Sequence, residues 1–164
     1  NSYALKMMSK FKKAQLNFIV CPTENCYLQG RYDSYPKRRG ISRVDELTQN
    51  ELNVSFAQDS ISDPWYPLGN GNLMHQLDFG LHLSHMMSVD EIKNSLKFVT
   101  ENGAKTMCIK DYGIKEGNSA NFVVLDEKNV FDAVRNTAST ILSVRNGKVI
   151  MEKQPEKILT TYNF

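Results

Sequence analysis

The pattern of apolar and polar positions divides the first sixty residues into alternating helices and strands. Residues 2–14 place apolar side chains at helical spacing, with lysines opposite them. The apolar run of residues 16–21 predicts a short strand that is buried on both faces. Residues 52–59 alternate between apolar and polar, which predicts a half-buried strand. A helix that starts at Ser42 lies between the two strands, and this order is typical of βα units with parallel strands.

Two polar features lie between the predicted strands. Residues 23–40 form a long polar loop, and loops of this length in compact domains tend to be functional. Within this loop, residues 36–39 (PKRR) either contact phosphate or nucleic acid, or form a solvated loop tip or a subunit contact. No second basic stretch reinforces the cluster, which favours the loop tip or subunit contact. In the helix that follows, Asp45 and Glu46 are placed for a capping box with Ser42.

The middle of the chain is predicted to be helical. Residues 70–87 repeat leucine at every fourth position, and residues 88–102 predict one further helix that Gly103 ends. A short element follows over residues 105–112. The spacing of the three histidines is compatible with a zinc site, but one straight helix cannot easily surround a metal ion with tetrahedral ligands. We therefore favour packing or surface roles for His75, His82 and His85.

Beyond residue 112 the pattern changes to antiparallel strands. Residues 121–125 predict a strand and residues 129–135 a short helix. Residues 141–151 predict a β-hairpin. We therefore expect two parts, the βα units in residues 1–112 and a small β extension in residues 113–164.

The predicted hairpin has a clear turn signal. The dipeptide Asn146-Gly147 is typical of a two-residue type I′ turn. Such a turn pairs Val144 with Val149 and Leu142 with Met151, which gives the hairpin one apolar face.

Composition limits the classes of function. The 164 residues are 41% hydrophobic and 23% charged, as in a globular chain that buries a core. The net charge of +2 argues for neither nucleic acid nor an anionic membrane surface, and no window approaches the roughly 18 apolar residues of a membrane span. The three cysteines have spacings unlike those of a zinc or disulfide framework. They suit reduced thiols, so we expect a cytoplasmic protein.

Asp59 is the first candidate for chemistry. It ends the second predicted strand and precedes a segment of turn-forming residues that leads to Trp65 and Tyr66. Barrel and open α/β enzymes present catalytic groups at the carboxyl ends of their strands. An aspartate also commonly caps a turn, and spacing alone favours that second interpretation.

Four blocks of the sequence, in chain order, read CPTENCYLQGRYDSYPKRRGISRV, QDSISDPWYPLG, GLHL and DYGIKEGNSANFVVLD. These blocks closely resemble consecutive blocks of bacterial cytosine deaminases in the amidohydrolase superfamily. The resemblance covers essentially the whole chain, and DPWYPLG and QGRYDSYPKRRG are its most specific parts. It implies an α/β fold: the C-terminal part of a metal-dependent (β/α)8 barrel, followed by the C-terminal part of a small β-sandwich extension.

The resemblance also implies an active site with one divalent metal, iron or zinc. Asp59 matches the aspartate that ligates this metal at the end of the last barrel strand and takes a proton from the attacking water. Trp65 matches a tryptophan that lies over the substrate base. Ser60 lies where the best-known members carry a second aspartate beside the substrate. The implied reaction is hydrolytic deamination of cytosine or a related small heterocycle, such as creatinine or a modified pyrimidine, with release of ammonia.

The chain departs from that family pattern in two ways. Gln58 and Ser60 replace a histidine and the second aspartate, and because serine keeps hydrogen-bonding capacity but loses charge, the accepted ring substituents should change. No histidine precedes Asp59, so the paired histidine ligands of the family are absent, and a whole barrel needs about 250 residues. We therefore expect a piece of a longer enzyme that, by itself, binds no metal tightly and is inactive.

Two other functions stay open at this point. A cyclic-amide hydrolase of the same superfamily would use Asp59 in the same way and differ in pocket residues that lie upstream. A stand-alone half-barrel would be a non-catalytic binding module, with the basic residues 36–39 as its contact surface. For the longer enzyme we expect a homo-oligomer that acts on a small molecule and has no nucleic-acid or membrane partner.

Overall fold

Helices and short strands alternate along the part of the chain that the computed structural model describes, residues 2–154. The helices are α1 (Ser2–Lys13), α2 (Pro22–Leu28), α3 (Val44–Gln49), α4 (Leu73–Leu83), α5 (Val89–Lys93), α6 (Glu101–Thr106) and α7 (Val130–Arg135), with a 3-10 helix at Ser95–Val99. The strands are β1 (Asn17–Val20), β2 (Asn53–Phe56), β3 (Phe122–Leu125), β4 (Thr140–Arg145) and β5 (Lys148–Glu152). β1 and β2 form the predicted parallel pair, whereas β3, β4 and β5 form an antiparallel sheet in that order.

β2 is buried along its whole length, so the predicted half-buried strand is wrong. On one face, the Phe56 ring stacks on Phe98 with ring centroids 5.0 Å apart. On the other face α6 covers the strand, and Asn53 Nδ2 donates to Thr106 Oγ1 (3.0 Å) and to the Asn102 carbonyl (3.1 Å). Polar positions of the strand are buried because distant groups satisfy their hydrogen bonds, and alternation alone does not reveal this.

β1 differs from its prediction in the opposite direction. Val20 is buried, but Ile19 is 60% exposed, so the predicted burial on both faces is wrong. The reason is that α6 packs mainly on β2 and leaves the neighbouring position of β1 uncovered. The outer side of the parallel pair therefore exposes apolar surface.

The segment after β1 begins with a helix, so the prediction of a polar loop is wrong over its first third. α2 starts with Pro22, whose fixed φ and missing N–H are tolerated in the first turn of a helix. Thr23 and Glu24 are both 3% exposed. These polar side chains are buried by contacts with residues far along the chain, which a local pattern cannot show.

The helices predicted to start at residues 42 and 88 differ in their N-terminal caps. Ser42 forms no capping box, because the first helix after the loop begins two residues later, at α3. There the Arg43 guanidinium instead pairs with Glu46 at 3.0 Å. Ser88 does cap α5, and with Glu91 it forms a complete capping box.

The single helix predicted over residues 88–102 is divided into α5, the 3-10 helix and α6. At the breaks, Asn94, Ser95 and Thr100 each donate a side-chain hydrogen bond of 2.7–2.8 Å to a carbonyl three or four residues earlier. Such bonds compete with a continuous helix. Gly103 does not end a helix but lies inside α6.

The predicted strand, short helix and hairpin after residue 112 are confirmed as β3, α7 and the β4–β5 pair. Asn146 and Gly147 have φ of 49° and 74°, as a type I′ turn requires. The Val144–Val149 pair forms as predicted, but Met151 lies opposite Ser143. The predicted pair of Met151 with residue 142 is wrong because a bulge beside Val144 shifts the register.

One hydrophobic core joins the parallel pair to the surrounding helices. Its largest fully buried apolar side chains are Phe98, Leu77, Leu81, Val20, Val44 and Val54. α7 contributes Ala133 and Val134 and contacts α4 and α5, so part of the segment after residue 112 packs on the first part. No described helix has the length and apolar character needed to cross a membrane. Asn1 and residues 155–164, the end of the predicted β extension, lie outside the described residues.

Candidate active site

Asp59 lies where the two parallel strands end. The Ala57 amide still donates to the Val20 carbonyl (2.9 Å), so the carboxyl ends of β1 and β2 stay side by side. Three residues after β2, the Asp59 side chain is exposed, and it accepts no hydrogen bond from residues 2–154. Its carboxylate is therefore available to a ligand.

Glu24 binds the residue that follows Asp59. The Ser60 amide donates to Glu24 Oε2 and the Ser60 hydroxyl to Glu24 Oε1, both at 3.0 Å. Glu24 is 3% exposed and Ser60 5%, so these bonds are shielded from water. α2 places Glu24 here because the helix starts directly at the end of β1, next to the end of β2.

Gln76 binds the residue that precedes Asp59. From α4, Gln76 Nε2 donates to Gln58 Oε1 (2.9 Å) and to Thr23 Oγ1 (3.0 Å). Gln76 is fully buried, and Gln58 Nε2 is a buried nitrogen without a partner among the described residues. Asp59 is thus flanked on both sides by residues that buried polar side chains hold in place, and we call this set (Thr23, Glu24, Gln58, Ser60 and Gln76) the polar network.

The loop of residues 60–69 closes on itself beside this network. The Ser62 amide donates to the Gly69 carbonyl at 2.9 Å. Gly69 approaches the start of the loop so closely that a Cβ at this position would lie 1.8 Å from the Ser60 carbonyl oxygen. Residue 69 must be glycine for the loop to close in this way.

Asp63 orders the tip of the same loop. Its Oδ1 accepts from the amides of Trp65 (2.9 Å) and Tyr66 (3.0 Å). These hydrogen bonds, that of Tyr66 above all, hold the pKa of the Asp63 carboxyl below its usual value. The Tyr66 ring lies 5.9 Å from that of Tyr27 on α2, whereas the Trp65 side chain is 64% exposed. The loop therefore presents Trp65 to solvent on an ordered backbone.

The pKa of the Cys21 thiol is affected by the charges at the carboxyl end of the parallel pair. Burial raises the pKa of its thiol, and the negative charges of Asp59 and Glu24 raise it further. Both carboxylates therefore act on the same thiol at the junction of β1 and α2. Two carboxylates, those of Asp59 and Glu24, therefore lie near this end of the parallel pair.

Asp59 fits one coordination position of a divalent metal, since its carboxylate is exposed and free of hydrogen bonds. Within residues 2–154, no three His, Cys, Asp or Glu side chains are grouped so as to hold a metal ion. Two of the three histidines contact residues of their own helix. His82 Nδ1 lies 2.9 Å from the Asp78 carbonyl oxygen, and the His75 ring lies 6.2 Å from the Phe79 ring. His85 is exposed just after α4. A metal held by Asp59 would need further ligands from outside the described residues.

Two residues of the basic cluster are engaged within their own loop. Arg38 Nε and Nη2 donate to the Asp33 carboxylate (2.6 and 2.9 Å), and Lys37 Nζ donates to the Arg31 carbonyl (2.6 Å). The hydrogen bond from Arg38 also holds the pKa of Asp33 below its usual value. These contacts support a structural role for the cluster, whereas its predicted role as a contact surface stays a prediction.

Sequence reasoning placed Asp59 and Ser60 at the strand end but missed the side chains around them. Thr23 and Glu24 fall in the segment predicted to be a polar loop. Gln76 lies in the helix predicted over residues 70–87, where nothing distinguishes it from the other polar residues. One signal was available for Glu24: it follows the end of a predicted parallel strand, and such strand ends meet at one edge of a sheet. For Gln76 the local pattern holds no such signal.

The chain is similar to a solved structure of 5-methylcytosine deaminase from Klebsiella pneumoniae liganded with 5-fluorocytosine. The two are 50% identical and superpose with a TM-score of 0.93, over 99% of this chain and 40% of that one. This superposition supports the mixed α/β arrangement described above.

Two curated proteins are more distant relatives. N-isopropylammelide isopropyl amidohydrolase of Pseudomonas sp. (strain ADP) is 28% identical over 145 residues, and pterin deaminase of Rhizobium rhizogenes (strain K84 / ATCC BAA-868) is 26% identical over 149 residues. Each alignment covers 88% of this chain and 33% of the relative. The chain thus spans about a third of the length of these relatives.

A family model extends the same likeness over almost the whole chain. The model of the amidohydrolase family matches residues 5–151, which include both strands of the parallel pair, the polar network and all but the last residue of the β4–β5 hairpin. This chain belongs to the amidohydrolase family.

Proposed function

We propose that this chain is the C-terminal portion of a longer, metal-dependent enzyme that deaminates cytosine or a related pyrimidine and releases ammonia. The observation that carries the proposal is the free, exposed carboxylate of Asp59 at the end of β2, in a chain half identical to a 5-methylcytosine deaminase. In this proposal residues 1–112 belong to a (β/α)8 barrel and residues 113–164 to a small β-sandwich extension.

Asp59 is the residue on which the proposed chemistry depends. It provides one metal ligand and accepts the proton of the attacking water. A divalent metal, iron or zinc, supplies a Lewis acid that makes water nucleophilic at neutral pH. The remaining ligands and the group that delivers a proton to the departing ammonia lie outside this chain.

Ser60 and Trp65 are the proposed substrate contacts. Trp65 offers an exposed, flat aromatic surface that suits a heterocyclic ring. Ser60 is neutral, and the Glu24 carboxylate to which its hydroxyl donates is already buried, so an apolar substituent beside Ser60 desolvates no exposed carboxylate. This favours a pyrimidine with an apolar substituent, such as 5-methylcytosine, over the substrates named for the more distant relatives.

The exposed side of the parallel pair supports the proposal of a longer enzyme. Within residues 2–154, β1 and β2 pair with no further strand, so the outer edge of each is unpaired. Unpaired edges and exposed apolar side chains such as Ile19 are normally covered by neighbouring strands. We place the longer enzyme in the cytoplasm as a homo-oligomer with a small-molecule substrate and without a nucleic-acid or membrane partner.

The experiment compares the full-length enzyme with the isolated 164-residue chain. Both are incubated with zinc or with ferrous iron, and ammonia release is measured from 5-methylcytosine, cytosine and creatinine. We expect turnover by the full-length enzyme, fastest on a pyrimidine, and none by the isolated chain. Turnover by the isolated chain contradicts the assignment of the missing ligands, and inactivity of the full-length enzyme on all three compounds contradicts the proposed function.

A further inference from the structure

Glu24 is a buried carboxylate for which the described residues provide no cation. Both of its oxygens accept hydrogen bonds from Ser60, and it takes part in none of the ion pairs formed within residues 2–154. Burying a carboxylate in this way costs free energy that two hydrogen bonds from one serine only partly offset. A carboxylate that is buried at such a cost is a candidate for a functional role.

The contacts of Glu24 define the path of the chain directly after Asp59. Ser60 uses its amide and its hydroxyl on the same carboxylate, so its backbone and its side chain are both fixed. Gln76 fixes the residue on the other side of Asp59 through Gln58. The Asp59 side chain, which itself has no hydrogen bond among the described residues, takes its direction from these two neighbours.

Glu24 also adds negative charge close to Asp59, because its carboxylate binds both the amide and the hydroxyl of the next residue, Ser60. Two carboxylates near one position attract a divalent cation more strongly than one does. The cation that Glu24 lacks among the described residues would then be the metal held by Asp59.

We propose that Glu24 is a positioning residue, which orients the Asp59 carboxylate through Ser60 and, by its buried charge, strengthens the binding of a divalent metal there. The proposal rests on the proposed function insofar as it takes Asp59 to be a metal ligand.

The test is Glu24→Gln in the full-length enzyme, since glutamine has the same size but no charge. Its amide oxygen still accepts from one Ser60 donor, whereas its amide nitrogen faces the other. We expect zinc affinity, measured by competition with a chromogenic chelator, to fall about 10-fold. We also expect kcat on the best pyrimidine to fall about 10-fold, with a smaller change in KM.

Glu91→Gln is the matched control. Glu91 Oε2 also accepts from the amide (2.9 Å) and the hydroxyl (2.6 Å) of a single serine, Ser88, but at the start of α5. This variant loses the same kind of contact outside the polar network, so zinc affinity and kcat should stay within about twofold of the wild type. Equal losses in the two variants would show a general effect on stability and overturn the proposal.

Three further results also bear on the proposed role of Glu24. Zinc affinity within twofold of the wild type in Glu24→Gln overturns the proposal, as does a wild-type enzyme that binds no zinc. If Glu24→Gln does not fold, Ser60→Ala takes its place in the chelator titration, and unchanged zinc affinity there overturns it. A wild-type enzyme that binds zinc but deaminates no pyrimidine refutes the proposed function alone, because the zinc affinities of the variants still test Glu24.

Discussion

The end of the parallel pair and the three-stranded sheet β3–β5 use polar and apolar side chains in opposite ways. At the end of the parallel pair, polar side chains such as Glu24 and Gln76 are buried and hydrogen-bonded. In the sheet, apolar side chains such as Val149 and Ile150 are 59% and 63% exposed. In these two regions, therefore, burial does not follow the polarity of the side chain.

The two regions also differ in the distance that their contacts span along the chain. Glu24 and Ser60 are 36 residues apart and Thr23 and Gln76 are 53 apart, whereas the β4–β5 hairpin closes through two turn residues. The hairpin is specified by its own sequence. The polar network exists only once α2, β2 and α4 have come together.

The strongest test of this contrast is the removal of the Asp59 charge. Asp59→Asn in the full-length enzyme should lower kcat between about 10²- and 10⁴-fold, because the site would lose its proposed proton acceptor. Steady-state ammonia release measures the effect. Asp78→Asn, which changes an exposed pairing with His82 on α4, serves as the control and should leave kcat unchanged. A similar loss in both variants would contradict the role of Asp59.

A second test compares core truncation in the two regions. Leu77→Ala, at a side chain with 0% exposure beneath the site, should lower the free energy of unfolding by about 2–5 kcal/mol. Val149→Ala in β5 should change it by no more than about 0.5 kcal/mol. Urea denaturation followed by circular dichroism measures both. If Val149→Ala destabilises as much as Leu77→Ala, then β5 is covered in the full-length protein and the contrast fails.

A third test uses two glycines with opposite surroundings. Gly69→Ala should destabilise the protein by about 1–3 kcal/mol, because the added Cβ displaces the Ser60 carbonyl. It should also lower kcat, since Ser60 follows Asp59. Gly103→Ala, in α6, where the added Cβ meets nothing within 4 Å among the described residues apart from its chain neighbours and its own helix backbone, should stabilise it by about 0.5–1 kcal/mol. Opposite shifts in thermal midpoint are expected, and equal shifts would contradict the closed loop of residues 60–69.

The smallest expected effect concerns thiol reactivity. Because burial and two carboxylates raise the pKa of Cys21, less of it is thiolate at pH 8, and iodoacetamide should modify it more slowly than the exposed Cys108. Glu24→Gln removes one of the negative charges, so alkylation of Cys21 should become faster in that variant. Mass spectrometry of the modified peptides gives both rates. An unchanged Cys21 rate in Glu24→Gln would place the Glu24 charge too far from the thiol to matter.

Much of the fold follows from local sequence signals. The apolar periods predict the parallel pair, α1 and α4, and Asn146-Gly147 predicts the hairpin turn because few residues adopt positive φ at two successive positions. The similarity of the chain to bacterial cytosine deaminases, inferred from four sequence blocks, agrees with the family that the comparisons show. These features depend on neighbours along the chain or on whole motifs.

The features that sequence reasoning missed depend on distant partners. The polar face of β2 is buried because α6 provides a hydrogen-bond acceptor for the Asn53 side chain. The Glu24 carboxylate of α2 is buried because Ser60 donates a hydrogen bond to it. The predicted helix over residues 88–102 breaks because side chains such as Thr100 bond to nearby carbonyls, a choice that residue spacing does not reveal. A buried polar residue has no local signature, so this half of the site could not be predicted from periodicity.

The exposure of Trp65 has a spectroscopic consequence. It is the single tryptophan of these 164 residues, and its indole stands in solvent at the edge of the candidate active site. The tryptophan fluorescence of the isolated chain therefore originates in the loop that follows Asp59 and should have the long-wavelength maximum of a hydrated indole. A shift to shorter wavelength on adding the rest of the proposed longer enzyme or a heterocycle would report, in real time, that this site has been covered.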